Sequence, residues 1–219
     1  MAPDLQSRAG SKHIKRMLPI KSKYKIAKRL GSAIFEKTQT QKFVLSESRF
    51  KKNRRFSRNP SDYGRQLLEK QRVRYTYGLS ETQLQNYVKK ASATADPSTT
   101  LHRMLEMRAD SIVYRAALAP TRRAARQMVS HGHVAINKKR IRTPSHALKK
   151  GDTLTIREGS RRKSLFSSLA DTEKEDARIV PAWLASSTAT LTVDVKAEPL
   201  YTPSETLLEY PAVFEFYSR

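Results

Sequence analysis

The sequence predicts an α+β fold, helical over its first part and built of short antiparallel strands afterwards. Three observations carry this. Apolar residues recur at helical spacing from Ser61 to His131, then alternate with polar ones from Val134 to Ile156. The helix just before that change, Thr121-Arg-Arg-Ala-Ala-Arg-Gln-Met-Val-Ser-His131, carries arginines on one side only. Finally, a formal net charge of +23 on 219 residues is segregated along the chain rather than spread through it.

Residues 1–60 show little periodicity and read as a basic N-terminal arm, with 17 Lys/Arg against Asp4, Glu36 and Glu47 over residues 1–58. Lys21 to Lys37 can form a helix around Ile26, Leu30, Ile34 and Phe35. Lys51-Lys-Asn-Arg-Arg-Phe-Ser-Arg58 reads as an extended segment of the kind that orders on nucleic acid. Phe43, Phe50 and Phe56 interleave with the charges and are read as anchors of the arm on the protein rather than as RNA contacts.

A helical region follows over 61–100 and continues into a helix at 101–118. Its first helix runs from about Asp62 to Tyr75, with Leu67, Leu68 and Gln71 on one side, and stops at Gly78, a left-handed C-terminal residue. Ser80 opens the second, and Gln83 three residues on completes a capping box. That helix carries Leu84, Tyr87 and Val88 and frays near Asp96-Pro97. Thr99 or Thr100 caps the third, from Leu101 to about Leu118, with Met104, Leu105, Ile112 and Val113 at core spacing. Pro120-Thr121 starts the arginine helix and Gly132 ends it.

On a wheel of about 100° per residue, Arg122, Arg126, Ser130, Arg123 and Gln127 share one arc, and Ala124, Met128, Ala125 and Val129 the other. One face packs on a core; the other offers planar donor forks suited to phosphate oxygens. Solvent exposure alone accounts for many such faces, but the next segment, His131 to Arg142, is also basic and poor in acids. Val134, Ile136, Ile141, Leu148, Leu154 and Ile156 then mark strands, with turns at Asn137-Lys138 and Lys150-Gly151-Asp152. A basic run from Arg157 to Lys163 leads into a short helix around Leu165 to Ala177. The tail reads as loops and strands, Leu191, Val193 and Val195 alternating and Val213, Phe214 and Phe216 closing the chain.

Residues 101–163 hold 16 Lys/Arg against Glu106, Asp110, Asp152 and Glu158, whereas 171–219 hold 4 against 9 acids. Such a charge excess repels itself in a free compact chain, so a polyanionic partner is the natural inference. There is no cysteine, which excludes disulfides and thiolate metal sites. No apolar run approaches the ~18–20 residues of a membrane helix. The start, Met1-Ala-Pro-Asp4, is not a secretory signal; residues 5–30, rich in Arg/Lys and poor in acids, share the composition of organelle transit peptides. His131 and His133 straddle Gly132, but with no cysteine and no acidic cluster nearby they are not read as metal ligands, and no cofactor is expected. Asp110 is read as the ion-pair partner of a neighbouring arginine. No Ser-His-Asp order, glycine-rich phosphate loop or carboxylate pair indicates catalysis.

Arg108-Ala-Asp-Ser-Ile-Val-Tyr-Arg115, the Thr121–Asn137 segment, Leu148-Lys-Lys-Gly-Asp152 and Ile156-Arg-Glu158 together resemble the RNA-binding domain of ribosomal protein S-four. Ser61-Asp-Tyr-Gly-Arg-Gln-Leu-Leu-Glu-Lys-Gln-Arg-Val-Arg74 and Tyr77-Gly78 are similar to the helical half preceding that domain in the full ribosomal protein. Val180-Pro-Ala-Trp-Leu184 and Phe216-Tyr-Ser-Arg219 resemble its C-terminal region. The likeness covers roughly residues 20–219. The cysteines that hold zinc in many members are absent around Lys23–Gly31, Arg58-Asn-Pro60 replaces the Pro-Gly-Gln-His-Gly loop, and the usual Asn-Gly turn is Asn137-Lys138, which strains a type I′ turn.

The resemblance implies a helix pair followed by a short, strongly twisted antiparallel sheet as the RNA-binding domain (101–163), and a C-terminal extension (164–219) packed back on the helical domain. It also implies a non-enzymatic protein of the small ribosomal subunit, cytoplasmic or organellar, that binds small-subunit rRNA and nucleates assembly of the subunit body. Such a protein lies near the path by which mRNA enters, touches neighbours of the S-five and S-twelve types and influences translational accuracy. A free-standing RNA chaperone or an RNA-modifying enzyme using the same domain is the alternative; for the latter, the acidic stretch after Lys163 is short for a catalytic domain. The residues expected at the RNA are Arg122, Arg123, Arg126, Gln127, His131 and Lys139, flanked by Arg115, Lys149 and Arg161. Around them stand Arg108, Thr121, His133, Lys138, Arg140, Arg142, Arg157 and Arg162, with Lys51, Lys52, Arg54 and Arg55 of the arm and Tyr63 and Arg72 of the helical region. Thr121 is read as the helix cap.

Overall fold

The computed structural model describes residues 20, 22–52, 61–161, 179–187, 190–203 and 206–219, without the side chains of 50–52. Helix α1 (Lys23–Leu30) ends at Gly31, whose φ of 113° suits glycine, and two 3-10 turns follow, Ser32–Ile34 and Glu36–Thr38. The single helix foreseen over 21–37 is thus broken at the glycine. Helix α2 (Gln41–Lys52) replaces part of the expected extended arm, so Lys51 and Lys52 end a helix. Its Phe43 is fully buried and stacks on Tyr24 with centroids 5.5 Å apart, an anchor as foreseen. The side chain of Phe50, and Phe56, lie outside the described residues.

Helices α3 (Asp62–Thr76), α4 (Glu81–Ala91) and α5 (Pro97–Glu106) form the helical layer. Ser61 caps α3, and Ser80 with Gln83 closes the foreseen capping box on α4. The cap of α5 is Asp96, with Pro97 in the first turn, rather than Thr99 or Thr100; proline there gives up an N–H that has no helical partner anyway. Val73, Leu79, Leu84, Val88, Leu101 and Leu105 bury against one another.

The helix foreseen at 101–118 is two helices. Arg108 adopts an extended conformation (ψ 144°) and bridges Ala147, and the N–H of Leu148 donates to the Met107 carbonyl (2.8 Å). The N–H of Ala109 donates to the His146 carbonyl (2.8 Å) before α6 (Ala109–Arg115) begins. A returning loop captures backbone groups that a continuous helix would have used itself.

Thr121 Oγ1 accepts from the N–H of Ala124 (3.1 Å) and starts α7 (Arg122–Ser130), which packs on α6 through Ala125, Met128 and Val129. Strands β1 (Val134–Ile136), β2 (Lys139–Arg140) and β3 (Thr153–Ile156) follow, then a single-turn helix α8 (Glu158–Arg161). Strands β4 (Leu184–Ser187) and β5 (Thr192–Val195) complete an antiparallel sheet of order β2-β1-β3-β5-β4, with Val134 opposite Ile156 and Leu154 opposite Val193. Its apolar side meets α6 and α7.

The closing segment, read as loops and strands, is helix α9 (Tyr210–Tyr217): Tyr210, Val213, Phe214 and Tyr217 fall at helical spacing and lie against α3 and the helical core. The described residues after 163 are therefore divided, β4 and β5 extending the sheet and α9 covering the helical layer. The helix foreseen at 165–177 lies outside the described residues.

Candidate nucleic-acid interface

A network of buried polar groups sits where the helical layer meets α6 and α7. Glu106, at the end of α5 and only 1% exposed, accepts from Tyr77 Oη (2.6 Å), Arg115 Nε (2.8 Å) and Nη2 (2.7 Å), and Arg122 Nη2 (3.4 Å). Burial alone pushes its carboxyl up; the hydrogen bonds and charges of Arg115 and Arg122, with the Tyr77 hydroxyl, outweigh it and hold the group well below the ordinary carboxylate range. Tyr77 is pushed far up, by burial and then by Glu106. Its hydroxyl also lies 3.3 Å from that of Tyr210 on α9, which lies 3.1 Å from His102 Nδ1.

This network engages three of the arginines expected at the RNA. The Arg122 guanidinium stacks between the rings of Tyr77 and Tyr114, 4.6 Å from each centroid, and bonds Glu106 and Ser111. Arg115 forms a two-pronged pair with Glu106. Arg108, 1% exposed, forms another with Asp110 (2.9 and 2.8 Å), the foreseen partner of an arginine, and donates to the Tyr87 hydroxyl (2.7 Å). The packing that lets helices approach across this seam needs these cations inside, where each has a carboxylate. Arg126 is half-buried and donates Nη1 to the Gly78 carbonyl (2.7 Å); burial lowers its pKa. Arg72, also half-buried, donates Nε to the Leu30 carbonyl (2.7 Å) and pairs with Glu69.

What remains exposed on α7 is Arg123, Gln127 and Ser130, and the surface continues through His131, Lys138, Lys139, Arg140 and Arg142 to Arg157. Gly132, at φ 71°, turns the chain out of α7. Arg140 Nε donates to its carbonyl (3.1 Å) and Nη2 to that of His131 (3.2 Å), placing a cation where the helix dipole is negative. Arg157 Nη1 reaches the same Gly132 carbonyl (3.5 Å), and His133 Nδ1 lies 3.0 Å from Ser160 Oγ. Partial desolvation, and then the charges of Arg142 and Arg157, lower the pKa of Arg140. Among the described residues, none of Arg123, Lys138, Lys139, Arg140, Arg142 and Arg157 forms an ion pair. A set of like charges held together without counterions can lower its energy by meeting phosphates.

The turn between β1 and β2 places Asn137 at φ 48° and Lys138 at φ 67°, so the lysine carries the strain its sequence implied. Asn137 Nδ2 donates to Asp152 (2.8 Å), which also accepts from the Lys149 N–H (2.7 Å). The Lys149 side chain is exposed, and Arg161 donates Nε to the Ile156 carbonyl (3.2 Å). Tyr63 is exposed on α3, 5.7 Å from the Phe216 ring and remote in sequence from the α7 surface. Arg54, Arg55 and Arg162 lie outside the described residues, as do the side chains of Lys51 and Lys52. Sequence reasoning missed Glu106, Tyr77, Tyr114 and Glu36, whose carboxylate accepts from the Arg122 N–H (3.3 Å). For Glu106 one signal existed: an acid set among Met104, Leu105 and Met107.

The family model described as the ribosomal protein S4/S9 N-terminal domain matches residues 20–107, and that of the S4 domain matches 107–154. The small ribosomal subunit protein uS4 of Roseiflexus sp. (strain RS-1) is 36% identical over 200 residues, covering 89% of this chain and 96% of that protein. Its counterpart from Corynebacterium kroppenstedtii is 41% identical over 162 residues, 73% of this chain and 79% of that one. The protein uS4c of Emiliania huxleyi is 38% identical over 148 residues, 67% and 72%.

Proposed function

Because the chain belongs to the uS4 family of small ribosomal subunit proteins, we propose that its exposed basic surface binds small-subunit rRNA directly. It is a structural, non-enzymatic constituent of the ribosome. The observation that supports direct binding is the set of exposed cations Arg123 on α7, Lys138, Lys139, Arg140 and Arg142 on and after the β1–β2 hairpin, and Arg157 after β3, which form no ion pair among the described residues. Affinity comes from phosphate neutralisation and counterion release, and selectivity from the folded shape of an RNA junction.

Thr121, Gln127, His131 and His133 supply polar contacts beside these cations, with Arg126 at the edge; Lys149, Arg161 and Arg162 flank them, and the arm's basic residues form a second clamp. Tyr63 and Arg72 serve the helical side. On this reading the protein nucleates assembly of the subunit body, touches neighbours of the S-five and S-twelve types near the path of incoming mRNA, and influences accuracy. Hydroxyl-radical footprinting of small-subunit rRNA with the full chain tests it. Protection should gather at one junction and persist in near-stoichiometric complexes; scattered or absent protection would overturn direct binding.

A further inference from the structure

We propose that a cleft beside the basic face receives one extruded nucleotide of the RNA; this rests on the rRNA-binding reading above. The cleft has a volume of about 440 Å³ and lies between α1 with its following 3-10 turn, α3, α6 and the loop before α9. Ligand pockets start at roughly 300 Å³, so one nucleotide fits and a duplex does not. Its apolar wall includes Ile34, Tyr114 and Leu207, and its charged lining residues are Arg72, Arg115 and Arg122.

Two of these arginines have donors to spare. Arg115 commits Nε and Nη2 to Glu106, and Arg72 commits Nε to Leu30 and Nη1 to Glu69. Each side chain is 35% exposed, and neither Arg115 Nη1 nor Arg72 Nη2 makes a hydrogen bond among the described residues. Leu207 stands 73% exposed at the cleft, an apolar group left uncovered among the described residues. A flat apolar body with an anion attached suits this combination: the base against Tyr114 and Leu207, the phosphate on the free guanidinium edges. Arg122 lines both this cleft and the adjoining one that holds Arg123 and Arg126, so a strand on the basic face can reach it. Unpaired, splayed nucleotides are what proteins read in structured RNA.

The test is zero-length ultraviolet cross-linking of the full chain on small-subunit rRNA, with mass spectrometry of the adducts, for the native protein and Leu207→Glu. A nucleotide adduct on the peptide holding Tyr114 is expected, lost in the variant. Affinity for rRNA should fall about tenfold, the scale of one stacked base, while affinity for inorganic polyphosphate stays nearly level. Adducts confined to α7 and the β1–β2 turn, with rRNA still bound, would overturn the cleft and leave the rRNA reading standing. An equal loss for polyphosphate would reduce the effect to charge repulsion and overturn it too, as would an acidic peptide displacing no RNA yet filling the cleft. A native protein that binds no rRNA would remove the reading beneath it as well.

Discussion

Replacing Glu106 by glutamine should be the most damaging isosteric change in the protein. The carboxylate receives two bonds from Arg115, one from Arg122 and one from Tyr77 while 1% exposed, so no water can take its place. Glutamine keeps one acceptor but turns an NH₂ group toward guanidiniums and leaves two cations without their counter-charge. Removing one partner of a buried pair costs about 3–5 kcal/mol, which for this chain length lowers Tm by roughly 6–20 °C. The pH dependence follows from the lowered carboxyl pKa. Its contribution is complete above the unfolded value, about pH 4.3, and is lost as pH falls through the folded one; the variant lacks this acid limb. Urea unfolding followed by circular dichroism at several pH values measures both. A loss under about 1 kcal/mol, with the acid limb intact, would refute the role assigned to this carboxylate.

Three further outcomes are expected. Burial lowers the pKa of His102, so its neutral form stabilises the fold fully above about pH 6.5 and progressively less below it; urea midpoints at pH 7.5 and 5.5 should differ less in His102→Gln than in the native chain. Lys138→Gly removes a side chain held at φ 67° and should stabilise the protein by about 1 kcal/mol in the same urea assay, while weakening rRNA binding slightly. Gly132→Ala meets both a φ of 71° and the Arg140 guanidinium, and should cost about 1–2 kcal/mol and reduce rRNA affinity through the displaced arginine, read by filter binding.

The local rules were legible where local chemistry decides. The Ser80–Gln83 box, the Thr121 cap, the apolar face of α7 and the alternation of β3 stand in the structure as the sequence implied. Reading failed where distant segments decide. Helix 101–118 breaks at Arg108 because the loop at 144–148 takes its backbone bonds, a partner some 40 residues away that no window reveals. Helix α9 was hidden because Tyr210, Val213, Phe214 and Tyr217 are aromatic or β-branched, types that favour strands until a helical layer offers them a place to pack. The same distinction governs the site. A helical wheel puts Arg122, Arg123 and Arg126 on one arc, but only Glu106, Tyr77 and Tyr114 decide that Arg122 turns inward and Arg123 does not.

The central claim is that the outward-facing cations of α7 and the β1–β2 hairpin supply most of the grip on rRNA. The salt dependence of rRNA affinity for Arg123→Gln/Arg140→Gln/Arg142→Gln tests it directly. With the urea midpoint unchanged, the log–log slope should lose about 2–3 units, near 0.7–0.9 for each phosphate contact removed. A slope equal to that of the native chain would contradict the account.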